Sequence, residues 1–172
     1  MSVQVPMSVP LIHIDDIEFS RDVSHGDRFA AKIAPVAARI GARKLGYNVT
    51  AVPPGKRAFP FHNHHANEEM FFVLDGEGML RFGGEEFPVR KGHFIACPPG
   101  GTAVAHQLIN TGTVELRYVA VSTMIDTDIF QYPDSGKFGA VGGREPGKPG
   151  SDATFPGKMV PESADVDYWH GE

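Results

Sequence analysis

The chain has 172 residues, of which 41% are hydrophobic, and a formal net charge of −5. This length is typical of one domain with a substantial core, and the acidic balance argues against nucleic-acid binding, which needs a basic surface. The single Cys97 excludes an internal disulfide and suits a reducing compartment. The first ten residues also lack the apolar segment of a signal peptide, and no run is long enough to span a membrane. We therefore expect a cytoplasmic protein.

Residues 1–40 are predicted to form an N-terminal arm and edge strands. Leu11–Ile14 alternates weakly and could pair with the edge of a sheet. Between residues 29 and 40 the apolar spacing also fits a helical stripe, but Pro35 would interrupt a helix that began before it. We favour a strand to about Ala34, followed by a short turn or helix.

Residues 41–126 read as short strands separated by turn residues such as Asp75-Gly76 and Gly83-Gly84. The strand candidates are residues 43–52, 59–64, 69–74, 78–82, 86–89, 93–97, 106–110 and 114–122. Many short strands without intervening helices indicate an all-β sandwich or barrel. This region is therefore predicted to be the core of a single domain.

Residues 127–172 are predicted to form an extended C-terminal tail. The segment 133–161 is rich in Gly, Pro, Ser and Lys and shows no apolar period. Aromatic residues return in Val166–Glu172, and an aromatic end of this kind is expected to dock on the barrel or on a partner subunit.

Candidate metal ligands concentrate between Pro60 and Gly76. His62 and His64 lie two residues apart, so on a strand their imidazoles point to the same face. A carboxylate at the start of the next strand, from Glu68 or Glu69, could add a third ligand, and His106 is the candidate for a fourth. A His-rich turn can also be solvated surface, but the strand context and the downstream histidine favour a metal site.

Three imidazoles and a carboxylate suit a divalent ion of Mn, Fe, Co, Ni or Zn. Four protein ligands leave one or two positions of an octahedral ion open to water or to a small-molecule substrate. Open positions are typical of catalytic or ligand-binding sites, because structural zinc sites are closed.

The spacing of these residues resembles the two motifs of the cupin superfamily. The first motif reads Gly55, six residues, His62-Asn-His64, four residues, Glu69, six residues and Gly76. The second reads Gly92, five residues, Pro98-Pro-Gly100, five residues, His106, three residues and Asn110. The spacer before His106, residues 101–105, is longer than the family's, which is the clearest departure from its pattern. The motif selects Glu69, and strand parity then turns Glu68 outward and His65 to the surface or to a supporting position.

Within the superfamily, the chain resembles uncharacterised bacterial cupins classed as candidate sugar-phosphate isomerases. Arg43-Lys-Leu-Gly-Tyr, Glu68-Glu-Met-Phe-Phe-Val and the ending Asp167-Tyr-Trp-His-Gly-Glu carry it. The resemblance implies a double-stranded β-helix, that is, a jelly-roll barrel, with His62, His64, Glu69 and His106 as metal ligands. The N-terminal arm, the aromatic tail and the habit of the family lead us to expect a homodimer, since small barrels with such arms often pair through edge strands.

Three functions stay open at this point. The protein could be a metal-dependent enzyme, an isomerase or a dioxygenase, that acts on a small polar substrate such as a sugar or a keto-acid. It could instead be a non-catalytic binder of a small molecule or a metal. The third and weakest alternative is a structural dimerisation module, against which the intact His62, His64 and Glu69 argue. No general base can be assigned from the sequence.

Overall fold

The computed structural model describes residues 9–143 and 155–172. The described chain is built of short strands joined by turns and 3-10 helices. In chain order they are β1 (Arg21–His25), β2 (Phe29–Pro35), β3 (Leu45–Val52), β4 (Asn63–His64), β5 (Glu69–Asp75), β6 (Glu77–Phe82), β7 (Glu85–Arg90), β8 (Phe94–Cys97), β9 (His106–Ile109), β10 (Leu116–Thr123), β11 (Asp128–Tyr132), β12 (Lys137–Gly142) and β13 (Phe155–Pro161). Short 3-10 helices occupy Ile14–Asp16, Ala37–Ile40, Thr102–Val104, Pro133–Ser135 and Glu162–Ala164.

The strands form three sheets. The largest has the order β1-β2-β3-β10-β5-β8, the second β13-β12-β11-β4, and the third β7-β6-β9. Every pairing between the named strands is antiparallel. An isolated antiparallel bridge between His62 and His106 links the segment before β4 to β9. The architecture is an all-β jelly roll, which confirms the fold class predicted from the sequence.

The core lies between the sheets, because successive side chains of a strand point to opposite faces and one face of each strand is turned inward. In β5 the side chains of Phe71 and Val73 point inward and are at most 8% exposed, whereas Phe72 between them lies on the outer face. Buried side chains from several other strands complete the cluster: Ala31, Val52, Leu80, Val89, Ile95, Leu108, Leu116 and Tyr118.

The turn between β5 and β6 depends on Gly76. Its φ is +79°, a region that residues with a Cβ rarely adopt. A Cβ built on this glycine would also lie 2.5 Å from the carbonyl oxygen of Glu115. Both constraints explain the glycine at the turn that the sequence predicted at Asp75-Gly76.

The N-terminal region differs from expectation in two places. Leu11–Ile14 does not pair with a sheet edge; the chain instead turns into the 3-10 helix at Ile14–Asp16, where the His13 side chain accepts a hydrogen bond from the Asp15 N–H. That prediction was wrong. The sequence also missed β1, whose residues show no apolar alternation but which pairs with β2 along its whole length.

The predicted C-terminal tail contains further strands. β11 and β12 form a hairpin, and β11 places Phe130 opposite His64 of β4. Tyr168 and Trp169 are 87% and 71% exposed and pack on each other, with ring centroids 4.9 Å apart. At this exposure, neither ring is packed on the described part of the barrel, and their docking on a partner stays a prediction. The parts of the predicted arm and tail at residues 1–8 and 144–154 lie outside the described residues.

Within the described ranges, no helix has the length and apolar character needed to cross a bilayer.

Candidate metal centre

Four side chains from three segments of the chain meet in the structure. His62 lies just before β4, His64 lies in β4, Glu69 begins β5 and His106 begins β9. The backbones of His62 and His106 exchange two hydrogen bonds, with N···O distances of 3.2 Å and 2.7 Å. Because the two histidines are paired through their backbones, their imidazoles are held side by side, with ring centroids 4.8 Å apart.

One oxygen of Glu69 lies at the centre of this group. Glu69 Oε2 is 2.9 Å from His106 Nε2 and 3.7 Å from the Nε2 atoms of both His62 and His64. The ligand atoms of His62, His64 and Glu69 all lie within 4.8 Å of one another. His106 joins them through its contact with Glu69. The structure thus brings together all four residues that the sequence selected.

Each histidine is fixed through its other ring nitrogen. His62 Nδ1 lies 2.8 Å from the carbonyl oxygen of Pro60, and His106 Nδ1 lies 3.2 Å from that of Val104. His64 Nδ1 lies 2.6 Å from Asp128 Oδ2. Carbonyl and carboxylate oxygens only accept hydrogen bonds, so each Nδ1 carries a proton and donates it. In proteins, such contacts fix the ring orientation and tautomer of metal-binding histidines.

With these tautomers, the four residues fit a metal ion. With the proton on Nδ1, each neutral imidazole points a lone pair at Glu69 Oε2, which is itself an acceptor. The contact of 2.9 Å between His106 Nε2 and Glu69 Oε2 therefore needs a cation, either a proton or a metal ion. Three nitrogen lone pairs facing one carboxylate oxygen form a donor set that suits a divalent transition metal.

The surroundings of His62 and Glu69 favour the protonation states that bind metal. Burial lowers the pKa of His62 to about 4, against the opposing charge of Glu69, so this imidazole is neutral at physiological pH. Burial alone would raise the pKa of Glu69, but the contacts with His106, His62 and His64 outweigh burial and hold the pKa below its usual value. A neutral imidazole and an ionised carboxylate are the forms that bind metal.

Asp128 supports the site from β11. Its side chain is 1% exposed and accepts hydrogen bonds from His64 Nδ1, from Asn67 Nδ2 at 2.8 Å and from the Ala66 N–H at 3.0 Å. Burial would raise the pKa of this carboxyl, but these hydrogen bonds outweigh burial and hold the pKa well below its usual value. The ionised Asp128 therefore orients His64.

Sequence reasoning missed Asp128, and it also missed Tyr132, whose ring stacks on His62 with centroids 6.0 Å apart. Burial, followed by the charge of Glu69, raises the pKa of Tyr132. Both residues lie on β11, in the region predicted to be an extended tail. The only signal was the alternation Asp128-x-Phe130-x-Tyr132, which is too short to identify a strand without knowledge of its pairing with β4.

Two further residues of the first motif, Glu68 and His65, lie as predicted. Glu68 and His65 are exposed, and His65 Nε2 lies 2.9 Å from Gln131 Oε1. His93 is also exposed. Cys97 is buried, and burial raises the pKa of its thiol, which fits a packing role. Asn110 is a turn residue: its amide donates to the carbonyls of residues 52 and 114, and its oxygen accepts from the N–H of residue 112.

Comparison with sequence relatives gives one family and two partial alignments. A model of the cupin domain matches residues 48–122. The chain is 34% identical over 71 residues to the uncharacterised protein MJ1618 of Methanocaldococcus jannaschii, and 28% identical over 74 residues to an oxalate-binding protein of Thermotoga maritima. These alignments cover 41% and 43% of this chain and 54% and 58% of the relatives, so the chain spans little more than half the length of either.

Two solved structures share the fold over most of the chain. A candidate sugar phosphate isomerase of Acidithiobacillus ferrooxidans superposes with a TM-score of 0.66 at 26% identity, covering 80% of both chains. A sugar phosphate isomerase of Silicibacter pomeroyi gives a TM-score of 0.74 over 90% of this chain and 94% of that one, at 19% identity, which shows the fold alone. The match at residues 48–122, together with the jelly roll that holds these residues, shows that this chain contains a cupin domain.

Proposed function

We propose that His62, His64, Glu69 and His106 together bind one divalent ion of Mn, Fe, Co, Ni or Zn. The observation that carries this proposal is the convergence of three fixed Nε2 lone pairs on one oxygen of Glu69. The donor set is too nitrogen-rich for Mg or Ca, which prefer oxygen ligands. Asp128 and two backbone carbonyls support the ligands, as is usual around metal-binding histidines.

We further propose that the protein is a metal-dependent enzyme acting on a small polar substrate, such as a sugar or a keto-acid. A bound ion with four protein ligands keeps positions open for substrate oxygens, which it would polarise as a Lewis acid. The likeness to the candidate sugar phosphate isomerase, at 26% identity, supports an isomerase. A dioxygenase is the alternative reaction if the ion is Fe(II).

A non-catalytic binder is the second candidate, and one observation favours it. Among the described residues that line the cleft next to the site, Glu69 is the only carboxylate, and no histidine lines that cleft. A second group that could act as a general base is therefore not found in that cleft, and the chain is similar to an oxalate-binding protein over 74 residues. In a binder, the same ion would hold the ligand without turnover.

Metal analysis tests the site directly. We expect about one equivalent of metal in the purified protein, and a large loss of metal in His62→Ala, Glu69→Gln and His106→Ala. The control is His93→Ala, because His93 is exposed on the turn before β8 and takes no part in the site. Wild-type metal content in the first three variants would refute the ligand assignment.

Turnover assays separate the two functions. The protein is loaded in turn with each of the five metals and incubated with sugar phosphates, keto-acids and 1,2-diols. Product formation that disappears in Glu69→Gln supports the enzyme. Saturable ligand binding by the loaded protein, with no turnover for any metal, supports the binder.

A further inference from the structure

A cleft of about 370 Å³ opens beside Glu69. Its walls come from β2, β3 and β10 and from the 3-10 helix at Ala37–Ile40. Ile33, Ala37, Ala120 and Met124 make most of the surface apolar. A volume in this range suits a small organic molecule. Because Glu69 lies at one end, a ligand in the cleft would lie next to the proposed metal.

Asn48 supplies a directed polar group on the wall of this cleft. The Thr50 hydroxyl donates to Asn48 Oδ1 at 2.7 Å, and the Tyr118 hydroxyl hydrogen-bonds to Thr50. Thr50 and Tyr118 are at most 2% exposed, so this chain of hydrogen bonds is fixed in the core. These hydrogen bonds hold the Asn48 side chain in one orientation, in which its amide oxygen accepts from Thr50. The Asn48 NH2 group, which has no hydrogen bond to the described residues, is left to donate to a ligand oxygen.

Two arginines stand at the cleft without a carboxylate partner. Arg21 and Arg43 both line it and are exposed, and neither forms an ion pair or side-chain hydrogen bond within residues 9–143 and 155–172. In contrast, Arg81 makes a bidentate pair with Asp134 at 2.8 Å and 3.1 Å. In a chain of net charge −5, two unpaired guanidinium groups beside one cleft create a local positive field.

We propose that this cleft binds a small organic anion whose carboxylate or phosphate group is held by Arg21 and Arg43. Its polar end accepts a hydrogen bond from Asn48 and lies towards Glu69. The guanidinium groups suit either anion, since both offer paired oxygens to the planar donors. This inference deepens the proposed function, because it names the class of molecule that would reach the metal site.

Calorimetric titration of the Zn²⁺-loaded protein tests the proposal. The probes are glycerol 3-phosphate for a phosphate group, malate for a carboxylate and glycerol as the neutral control. We expect saturable binding of at least one anion, no binding of glycerol, and a preference between the anions that identifies the natural group. Binding should also weaken as salt is raised. Equal binding of all three probes, or binding of none, would overturn the proposal.

Variants locate the binding. The double variant Arg21→Gln with Arg43→Gln should lose roughly tenfold or more in affinity for the anion, since two charge-assisted contacts disappear. Asn48→Asp keeps the acceptor for Thr50 but replaces the donor NH2 with an oxygen, so it should weaken binding by a similar factor. The control is Arg90→Gln, which removes one positive charge at an exposed residue that does not line the cleft. This variant should bind the anion with wild-type affinity.

Metal content measured on the same samples distinguishes this proposal from the proposed function. The arginine variants should keep wild-type metal while losing the anion. If the protein binds no metal but still binds the anion, the metal proposal fails alone. If metal binds and the arginine variants keep wild-type anion affinity, the present inference fails alone.

Discussion

Replacing Asp128 with asparagine changes one buried group behind a metal ligand and leaves the four proposed ligands themselves untouched. Asp128 accepts three hydrogen bonds, one from the His64 ring and two from the segment that follows β4. An asparagine side chain keeps one acceptor oxygen and gains an NH2 group. In either orientation, its NH2 group must face at least one N–H donor that the carboxylate had satisfied.

The expected cost follows from that donor-donor contact. A buried donor left without a partner costs about 1–3 kcal/mol. We take about 2 kcal/mol for the loss in free energy of unfolding, which corresponds to a fall of roughly 4–8 °C in Tm for a chain of this length. Loss of a residue that orients a metal-binding histidine typically lowers metal affinity 10–100-fold, that is, by about 1.4–2.7 kcal/mol.

Two measurements check this prediction: thermal unfolding of the metal-free protein and competition titration with a chelator of known affinity. The control is Asp126→Asn, an exposed residue with no ion pair or hydrogen bond in the described part of the chain. It should match wild type in both. Wild-type metal affinity in Asp128→Asn would show that the orientation of His64 does not depend on Asp128, and would refute the reasoning even if stability fell.

Three further predictions concern the fold and the assembly. Gly76→Ala should lower the free energy of unfolding by at least about 1–2 kcal/mol in urea denaturation, because a Cβ is disfavoured at positive φ and would meet the carbonyl of Glu115. The control is Gly84→Ala, which should cost about 1 kcal/mol or less because a Cβ there meets nothing within 4 Å. Asn110→Ala should cost roughly 2–4 kcal/mol in the same assay, because it leaves buried backbone groups without partners, whereas the exposed Thr113→Ala should be nearly neutral. The homodimer stays a prediction: light scattering should give twice the chain mass of 18.6 kDa, and a monomer at micromolar concentration would contradict it.

The sequence predicted the barrel and the grouping of four site residues because both follow from local patterns. Short apolar runs place strands such as β5 and β10, and two-residue spacing turns His62 and His64 to one face. Asp128 could not be predicted in this way. Its contact with His64 joins residues 64 positions apart, and the short strand β11 exists because it pairs with β4 and β12 rather than because of its own composition.

The longer spacer before His106 was the main departure from the cupin pattern, and its fold explains why the departure does not displace the histidine. Both ends of the spacer are tied to the first motif. At its start, Gly100 donates its N–H to the His64 carbonyl at 2.8 Å and accepts from Asn63 Nδ2 at 2.8 Å. At its end, His106 pairs with His62 through two backbone hydrogen bonds. Extra residues between fixed ends add only a small closure entropy.

The spacer also contributes to the site. Residues Thr102–Val104 form a 3-10 turn, closed by the hydrogen bond from Ala105 N–H to the Thr102 carbonyl at 3.1 Å. This turn places the Val104 carbonyl 3.2 Å from His106 Nδ1, where it fixes the tautomer that directs Nε2 at Glu69. The residues that weaken the match to the family's pattern therefore supply the hydrogen bond that orients the fourth proposed ligand.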